Sequence, residues 1–375
     1  MANDKPTSEQ TDEQQLAPLR AKIDQFDKQI VELLNERAKV VVEVGHVKRG
    51  GVTPIFVADR EHQVLERVRK YNQGPLPDSC LTGIWRELMS GSFALERSLR
   101  IGYLGPEASF SHMAARRKFG ASVDYLQMED IAGVFDQISR GHVDLGLVPI
   151  ENSGIGGIGE TLDSFLEFPV QVCSEVLLNI HHHLLATEAT AASGKIKKIY
   201  SKPEVFKQCR KWLAENYRDA ERVEVGSSSK AAEIASKEEG AAAIASWMAA
   251  EHYQLQTLIP NIEDNPNNIT RFFVICKDAP AGNKPTGDDK TAIMFTTQHK
   301  AGALAEVIDV FRAMGLNLTH IDKRPSKRVN WEYYFFIDFV GHQLEDHVNK
   351  AIEAARKHCL QLTVLGSFPK AREVF

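Results

Sequence analysis

The chain has 375 residues, 43 % of them apolar and 25 % charged, with a net charge of −5. That length accommodates two or three domains, each with its own core, and the acidic balance gives no reason to expect nucleic acid or an anionic membrane as partner. Five scattered cysteines, Cys80, Cys173, Cys209, Cys276 and Cys359, never fall in a close pair, which argues against a disulfide framework and against a zinc ribbon.

Residues 1–15 are polar and acidic and read as disordered, without the basic flank and apolar run of a signal peptide. No apolar run elsewhere is long enough to span a bilayer, so a reducing cytoplasm is the expected setting. From Leu16 to about Lys48 apolar residues recur in steps of three and four, at Leu16, Leu19, Ile23, Phe26, Ile30, Leu33, Val40, Val44 and Val47. That spacing predicts one long helix with a coiled-coil-like seam. Gly50, Gly51 and Pro54 break it, and two further helices are expected over 59–71 and 78–96, on either side of Gly74-Pro75-Leu76-Pro77. Three such helices cannot bury the seam, so a homodimer or larger homo-oligomer is the expected remedy.

After Leu99 short apolar strands alternate with helices: Arg100–Leu104, Val123–Leu126, Val143–Ile150, Val170–Val176, Lys198–Tyr200 and Ala241–Ile244. The alternation predicts parallel sheets in an α/β domain over 99–279. Residues 280–289, rich in Pro, Gly and Asp, read as a linker. From 290 to 375 the order strand, helix, strand, strand, helix, strand predicts a ferredoxin-like α+β domain. The expected fold class is therefore multidomain: all-α over 16–97, then α/β, then α+β.

Charges on the helical seam point to chemistry. The step after Leu33 lands on Arg37, and Lys48, eleven positions on, lies roughly 20° away on the same face. On the third helix Leu81, Trp85 and Leu88 lead to Ser92 and Glu96, an i, i+4 pair. Arg20, Arg60 and Glu61 add charge near the helix starts. A buried unpaired cation costs several kcal/mol, roughly, so each needs a partner or a ligand. Internal salt bridges are the plainer alternative. Leu19-Arg20, Glu36-Arg37, Val42-Glu43-Val44-Gly45 with Lys48, Asp59-Arg60-Glu61, and Ser92 with Glu96 together resemble the helical chorismate mutase domain of the bifunctional P-proteins. The resemblance implies arginines on the two substrate carboxylates, with Arg20 reaching in from the other subunit. It also implies Lys48 donating to the ether oxygen and Glu61 accepting from the ring hydroxyl. A Claisen rearrangement needs no nucleophile, so a clamp plus donors at the ether oxygen suffices. Glu96 stands where the best-known bacterial members have glutamine. A glutamate donates only when protonated, so mutase activity is expected to fall as pH rises and Glu96→Gln to flatten the profile.

In the α/β segment Gly154-Ile-Gly156-Gly157-Ile-Gly159 fits G-x-G-x-x-G, with Glu175 where a ribose-binding acid would sit, which admits a nicotinamide-dependent dehydrogenase. Against that, Glu151-Asn152-Ser153 separates strand from glycines. Gly105-Pro106 with Ser109-Phe110-Ser111-His112, Val148-Pro149-Ile150-Glu151-Asn152-Ser153, Gln208-Cys209, Asn268 and Thr270-Arg271-Phe272 instead resemble prephenate dehydratase. The resemblance implies two lobes similar to periplasmic binding proteins, with the active site in the cleft. There Thr270 is the candidate donor to the leaving hydroxyl and Arg271 the candidate carboxylate anchor. Asn152, Ser153 and Gln208 would orient substrate, and Ser111 marks a helix terminus suited to an anion. The run His181-His182-His183 suggests a metal, but strand alternation would bring only His181 and His183 together, and no metal or cofactor is expected.

At the C-terminus Gly302-Ala303-Leu304, Asp322 with Arg324-Pro325, and Trp331-Glu332 resemble the ACT domain attached to these dehydratases. The resemblance implies loops from two paired domains that enclose L-phenylalanine, with Lys323 a departure. The expected sequence of events is chorismate to prephenate to phenylpyruvate under phenylalanine feedback. Arogenate in place of prephenate, and a non-catalytic amino-acid-binding regulator, are the alternatives.

Overall fold

The computed structural model describes residues 8–49, 56–278, 283–326 and 332–375, with side chains in the first helix from Asp12 to Val47. Three helices come first: α1 (Ser8–Arg49), α2 (Ala58–Tyr71) and α3 (Asp78–Glu96). α1 starts upstream of Leu16, so residues 8–15 are helical and not disordered as their polarity suggested. Glu9, Gln10, Glu13, Gln14 and Gln15 are good helix formers, and acidic residues suit the positive end of the helix dipole. α2 carries Asp59 and Glu61 in its first turn and Arg69 and Lys70 in its last, the polarity the dipole favours. The apolar seam of α1 is uncovered within one chain: Leu19, Leu33 and Val47 are 58 %, 69 % and 82 % exposed.

The first α/β lobe comprises β1 (Arg100–Leu104), α4 (Phe110–Phe119), β2 (Asp124–Met128), α5 (Ile131–Ser139), β3 (Leu145–Asn152), β4 (Gly156–Gly157), α6 (Gly159–Glu167) and β5 (Gln171–Asn179). The second comprises β6 (His183–Ala186), α7 (Glu188–Ser193), β7 (Lys198–Ser201), α8 (Pro203–Gln208), α9 (Arg210–Asn216), β8 (Glu221–Glu224), α10 (Ser228–Ala235), β9 (Ala241–Ala245), α11 (Trp247–His252) and β10 (Gln256–Ile259). The chain then returns to the first lobe as β11 (Ile269–Cys276). Side chains of Ser109, Asp130, Thr187, Ser227 and Ser246 each accept from an amide three residues on and so start their helices.

The sheets are mixed, not parallel as expected. In the order β2-β1-β3-β11-β5, β1 is parallel to β2 and β3, whereas β11 is antiparallel to β3 and β5. In the order β10-β6-β9-β7-β8, β7 is parallel to β8 and β9, whereas β6 is antiparallel to β9 and β10. The chain crosses between lobes after β5 and again after β10, and each crossing reverses a strand. A strand buried on both faces reads the same in either direction, so periodicity could not show this. Two lobes joined by two crossings is the two-lobed arrangement expected for this segment.

The last domain follows the expected order as β12 (Asp289–Thr296), α12 (Ala303–Ala313), β13 (Leu318–Pro325), β14 (Tyr333–Val340), α13 (Asp346–Arg356) and β15 (Gln361–Pro369). Its sheet is antiparallel in the order β13-β14-β12-β15.

The first-lobe sheet organises the molecule because it carries a core on each face. On one face Ile101, Val176, Phe272 and Val274 pack with Phe119 and with Phe56 and Ala58 at the start of α2. On the other, Phe273 and Ile275 pack with Phe336, Leu365 and Phe368 of the last domain. The helical and C-terminal domains thus complete opposite sides of one sheet.

Candidate active sites

α1, α2 and α3 converge on a cavity of about 450 Å³. Arg37, Arg60, Glu61, Ser92 and Glu96 all line it, against an apolar wall of Val41, Val44, Phe56 and Met89. Ser92 donates to the Leu88 carbonyl at 2.7 Å, and its oxygen accepts from Arg37 Nη1 at 3.0 Å. The hydroxyl therefore aims the guanidinium. Glu96 lies against α1 at Gly45, where a Cβ would come within 3.2 Å of Glu96 Cγ. Arg20 is exposed on α1 and is not among the cavity residues. The side chain of Lys48 lies outside the described residues.

Two cations come from outside the helices. Lys284 of the segment before β12 lines the cavity. Lys118 of α4 meets Glu61 Oε2 at 2.6 Å, with both side chains largely buried. Neither lies in a helical pattern that sequence reading could have joined to this site; only tertiary packing brings them there.

A second polar cluster sits where the chain crosses between the lobes. Asn152 closes β3 opposite Thr270 of β11. Its Nδ2 donates to Thr270 Oγ1 at 2.9 Å and to Asn268 Oδ1 at 2.8 Å. All three residues are buried. Among the described residues nothing pairs with the buried Asn268 Nδ2, and a buried donor of this kind calls for a ligand or an ordered water. The Ile180 amide donates to the Asn268 carbonyl at 2.7 Å, tying the two crossings together. Beside them Gln208 Oε1 and His182 Nε2 are 2.7 Å apart, and Phe110 meets the His182 ring edge-on at 5.5 Å. Burial pushes the His182 imidazole below its ordinary value, against the opposing pull of Gln208 and Glu263. Ser111, next to Phe110, is buried in the first turn of α4.

Two of the expected site residues have protein partners of their own. The Ser153 hydroxyl donates to the Asn267 carbonyl at 3.0 Å and accepts from the Ile269 amide at 2.9 Å, so it splices β3 to β11. Arg271 does not join the Asn152 cluster. Its Nε donates to Glu175 at 2.7 Å, and Nη2 lies 2.5 Å from Asp338 of β14, a charge contact without hydrogen-bond alignment. Successive residues of a strand face opposite ways. Thr270 faces the lobe junction and Arg271 the C-terminal domain.

Three family models cover the chain in order: chorismate mutase type II over residues 19–97, prephenate dehydratase over 101–280, and ACT domain over 291–357. A bifunctional chorismate mutase/prephenate dehydratase of Pseudomonas aeruginosa is 43 % identical over 368 residues, covering 96 % of this chain and 99 % of that protein. The chain belongs to this bifunctional family. It is accordingly an enzyme with chorismate mutase and prephenate dehydratase activities. A counterpart from Aquifex aeolicus is 41 % identical, with coverage of 96 % and 99 %. Among solved structures, a prephenate dehydratase from Arthrobacter aurescens in complex with L-Phe matches with a TM-score of 0.68 and 29 % identity, covering 73 % of this chain and 90 % of that one.

The residues expected at the regulatory site fall in two places on the ACT domain. Gly302, at φ +82, caps α12, and Ala303 and Leu304 line a cavity of about 130 Å³ with Thr297, Glu332 and Phe335. Trp331 lies outside the described residues. Asp322 and Arg324 turn instead toward the dehydratase domain on β13, whose alternate residues are inward. Arg324 grips Asp163 of α6 with two bonds of 2.7 Å, and His320 meets Glu151 at 3.2 Å. Pro325 ends the strand, on the exposed side. Within one chain Asp322, Arg324 and Pro325 are not among the residues that line the cavity at Ala303 and Leu304.

These contacts also explain the glycine run. Gly156 and Gly157 form β4, and a Cβ on Gly157 would run into the Asp322 carboxylate; one on Gly159 would lie 2.7 Å from Arg324 Nη1. The glycines let the ACT domain approach, and Glu175, the supposed ribose ligand, is buried against Arg271 and Lys290. His181 pairs with Glu263 at 2.7 Å, and His183 begins β6. The alternation assumed for the histidine run therefore does not extend back to His181.

Proposed function

We propose that the helical cavity is where chorismate rearranges and the Asn152–Thr270 cluster is where prephenate loses CO2 and its hydroxyl. The single observation that carries the first assignment is the convergence of Arg37, Arg60, Glu61, Ser92 and Glu96 on one cavity. Arg37 and Arg60 hold the substrate carboxylates, since a guanidinium fork matches a carboxylate better than an ammonium does. Lys48 donates to the ether oxygen as its charge grows, Glu96 can join it only in its protonated form, and Glu61 accepts from the ring hydroxyl. Arg20 completes the site from a second copy. The exposed seam of α1 supports that reading, because apolar residues of that number and spacing call for a partner helix.

At the second site Thr270 Oγ1 accepts from Asn152, which leaves its own proton to bond the departing hydroxyl. The ring C–O bond and the bond to the ring carboxylate break together. CO2 leaves, the ring becomes aromatic, and the departing hydroxide takes a proton from solvent to leave as water. Threonine is a weak acid, so it acts by hydrogen bonding and not by full transfer. Asn268 Nδ2 and the first turn of α4 at Ser111 are the remaining donors for the substrate's charged groups, and Gln208 orients it. Arg271 serves the ACT junction instead.

L-Phenylalanine is the regulator, held at the Gly302 turn by amides of the α12 start; the L-Phe-bound relative supports this. A cytoplasmic setting agrees with five cysteines that are all free.

The test is to supply chorismate alone and follow phenylpyruvate, with a parallel reaction from prephenate. Arg37→Ala is expected to lower the first by roughly 100-fold or more and leave the second intact. Thr270→Val is expected to stop phenylpyruvate formation in both reactions, with prephenate accumulating when chorismate is supplied. Full dehydratase activity in Thr270→Val would remove the second assignment.

A further inference from the structure

We propose that Lys118, a residue of the dehydratase domain, is a positioning residue of the chorismate mutase site. The inference rests on the reading of Glu61 as the acceptor for the substrate's ring hydroxyl. Glu61 lies on a wall shared by two cavities: the mutase cavity in front, and behind it a smaller one of about 90 Å³ between α2, β5 and the residues after β15. Lys118 lines the rear cavity and not the front one. From there its Nζ reaches Glu61 Oε2 at 2.6 Å, with side-chain exposures of only 14 % and 10 %. One carboxylate oxygen is held from behind, and Oε1 is left for the substrate.

A glutamate alone would be a poor acceptor for this purpose. Its rotatable bonds let it leave the productive position, and its charge is costly in a half-closed cavity. A short charge-assisted bond in a water-poor setting answers both problems. The lysine is itself fixed. Its ammonium lies 5.8 Å from the centre of the Phe56 ring, which stands edge-on to Phe119 at 5.4 Å and to Phe93 of α3 at 6.2 Å. Phe56 is 4 % exposed, lines the mutase cavity, and belongs to the core under the dehydratase sheet. Docking of the two domains and placement of Glu61 are therefore one event.

The experiment is a double-mutant cycle in the full chain, with Lys118→Met, Glu61→Gln and the pair, assayed separately from chorismate and from prephenate. Lys118→Met is expected to lower mutase kcat by roughly ten- to a hundredfold, with less change in KM and unchanged dehydratase kcat. Lys118→Arg is expected to restore most of the loss. In the Glu61→Gln background, Lys118→Met is expected to cost nothing further. Wild-type mutase kcat in Lys118→Met, or an equal loss in both backgrounds, would overturn the proposal and leave Lys118 a packing residue. If Lys118→Met lost both activities, the double variant would decide, since it buries no unpaired charge. Mutase kcat equal to that of Glu61→Gln would support the proposal, and a lower value would overturn it. If Glu61→Gln itself kept full mutase activity, the underlying reading of Glu61 would fall, and this inference with it.

Discussion

On β11 the hydroxyl of Thr270 and the guanidinium of Arg271 leave the strand on opposite faces, one toward Asn152 at the lobe junction and one toward the ACT domain. Arg271, Lys290, Glu175 and Asp338 make a charge cluster in which Glu175 is fully buried. Burial alone would push the Glu175 carboxyl up; Arg271 and Lys290 outweigh it and hold the group below its ordinary 4.5. A depressed folded-state value means that the group's contribution is complete above the unfolded value and lost as pH falls below it. Thermal unfolding should show an acid-side loss between pH 4.5 and the lower folded-state value that Glu175→Gln lacks. That variant should also be less stable at neutral pH by roughly 3–5 kcal/mol, because two buried cations lose their partner. Unfolding of both proteins by calorimetry across that range checks both effects.

Among the elements, β15 takes a position that depends on the absence of a side chain. A Cβ on Gly366 would run into the backbone carbonyl of Val172 on β5, and backbone cannot swing aside as the tip of an arginine can. The close approach seats Leu365 and Phe368 in the core they share with Phe273. Gly366→Ala is expected to push the ACT domain off the dehydratase sheet at a cost of about 1–3 kcal/mol. The expected signs are a lowered melting temperature and a dehydratase rate less responsive to L-phenylalanine, with mutase kinetics near normal. Gly159→Ala opposes only the end of Arg324 and should be milder. An unaltered phenylalanine response in Gly366→Ala would show that this seat does not carry the regulation.

For the whole molecule, the three domains are held by shared interiors and not by linkers. Phe56 brings the helices into the dehydratase core, and Phe336 brings in the ACT domain from the other face. Residues after β15 connect all three. Glu373 pairs with Arg69 and Arg86 of the helical domain at 2.8 and 2.9 Å, while the Phe375 amide donates to Leu177 of β5 at 2.9 Å. The long face of α1 takes no part in this and remains open. Ile30→Asp on that seam is expected to yield a smaller species by sedimentation. It should lose chorismate mutase activity by roughly 100-fold or more as Arg20 of the second copy is withdrawn, and keep prephenate turnover. A species of unchanged size with full mutase activity would show that the seam is not the interface.

Residue spacing by itself determined the three helices and the βαββαβ order, and it put Arg37, Ser92 and Glu96 on inward helix faces. Each of those depends on periodicity along one element or on a short local motif, and local signals survive in a linear string. The glycine run, read as a possible nucleotide loop, and Arg271, read as a substrate anchor, were legible as unusual, but their contacts across the ACT junction were not. Their partners, Asp322 with Arg324 and Asp338, lie far along the chain. Strand direction, the seat of β15 and the approach of Lys118 to Glu61 were decided only by tertiary structure. In each case the deciding contact joins domains, and no pattern within one segment encodes what will pack against it.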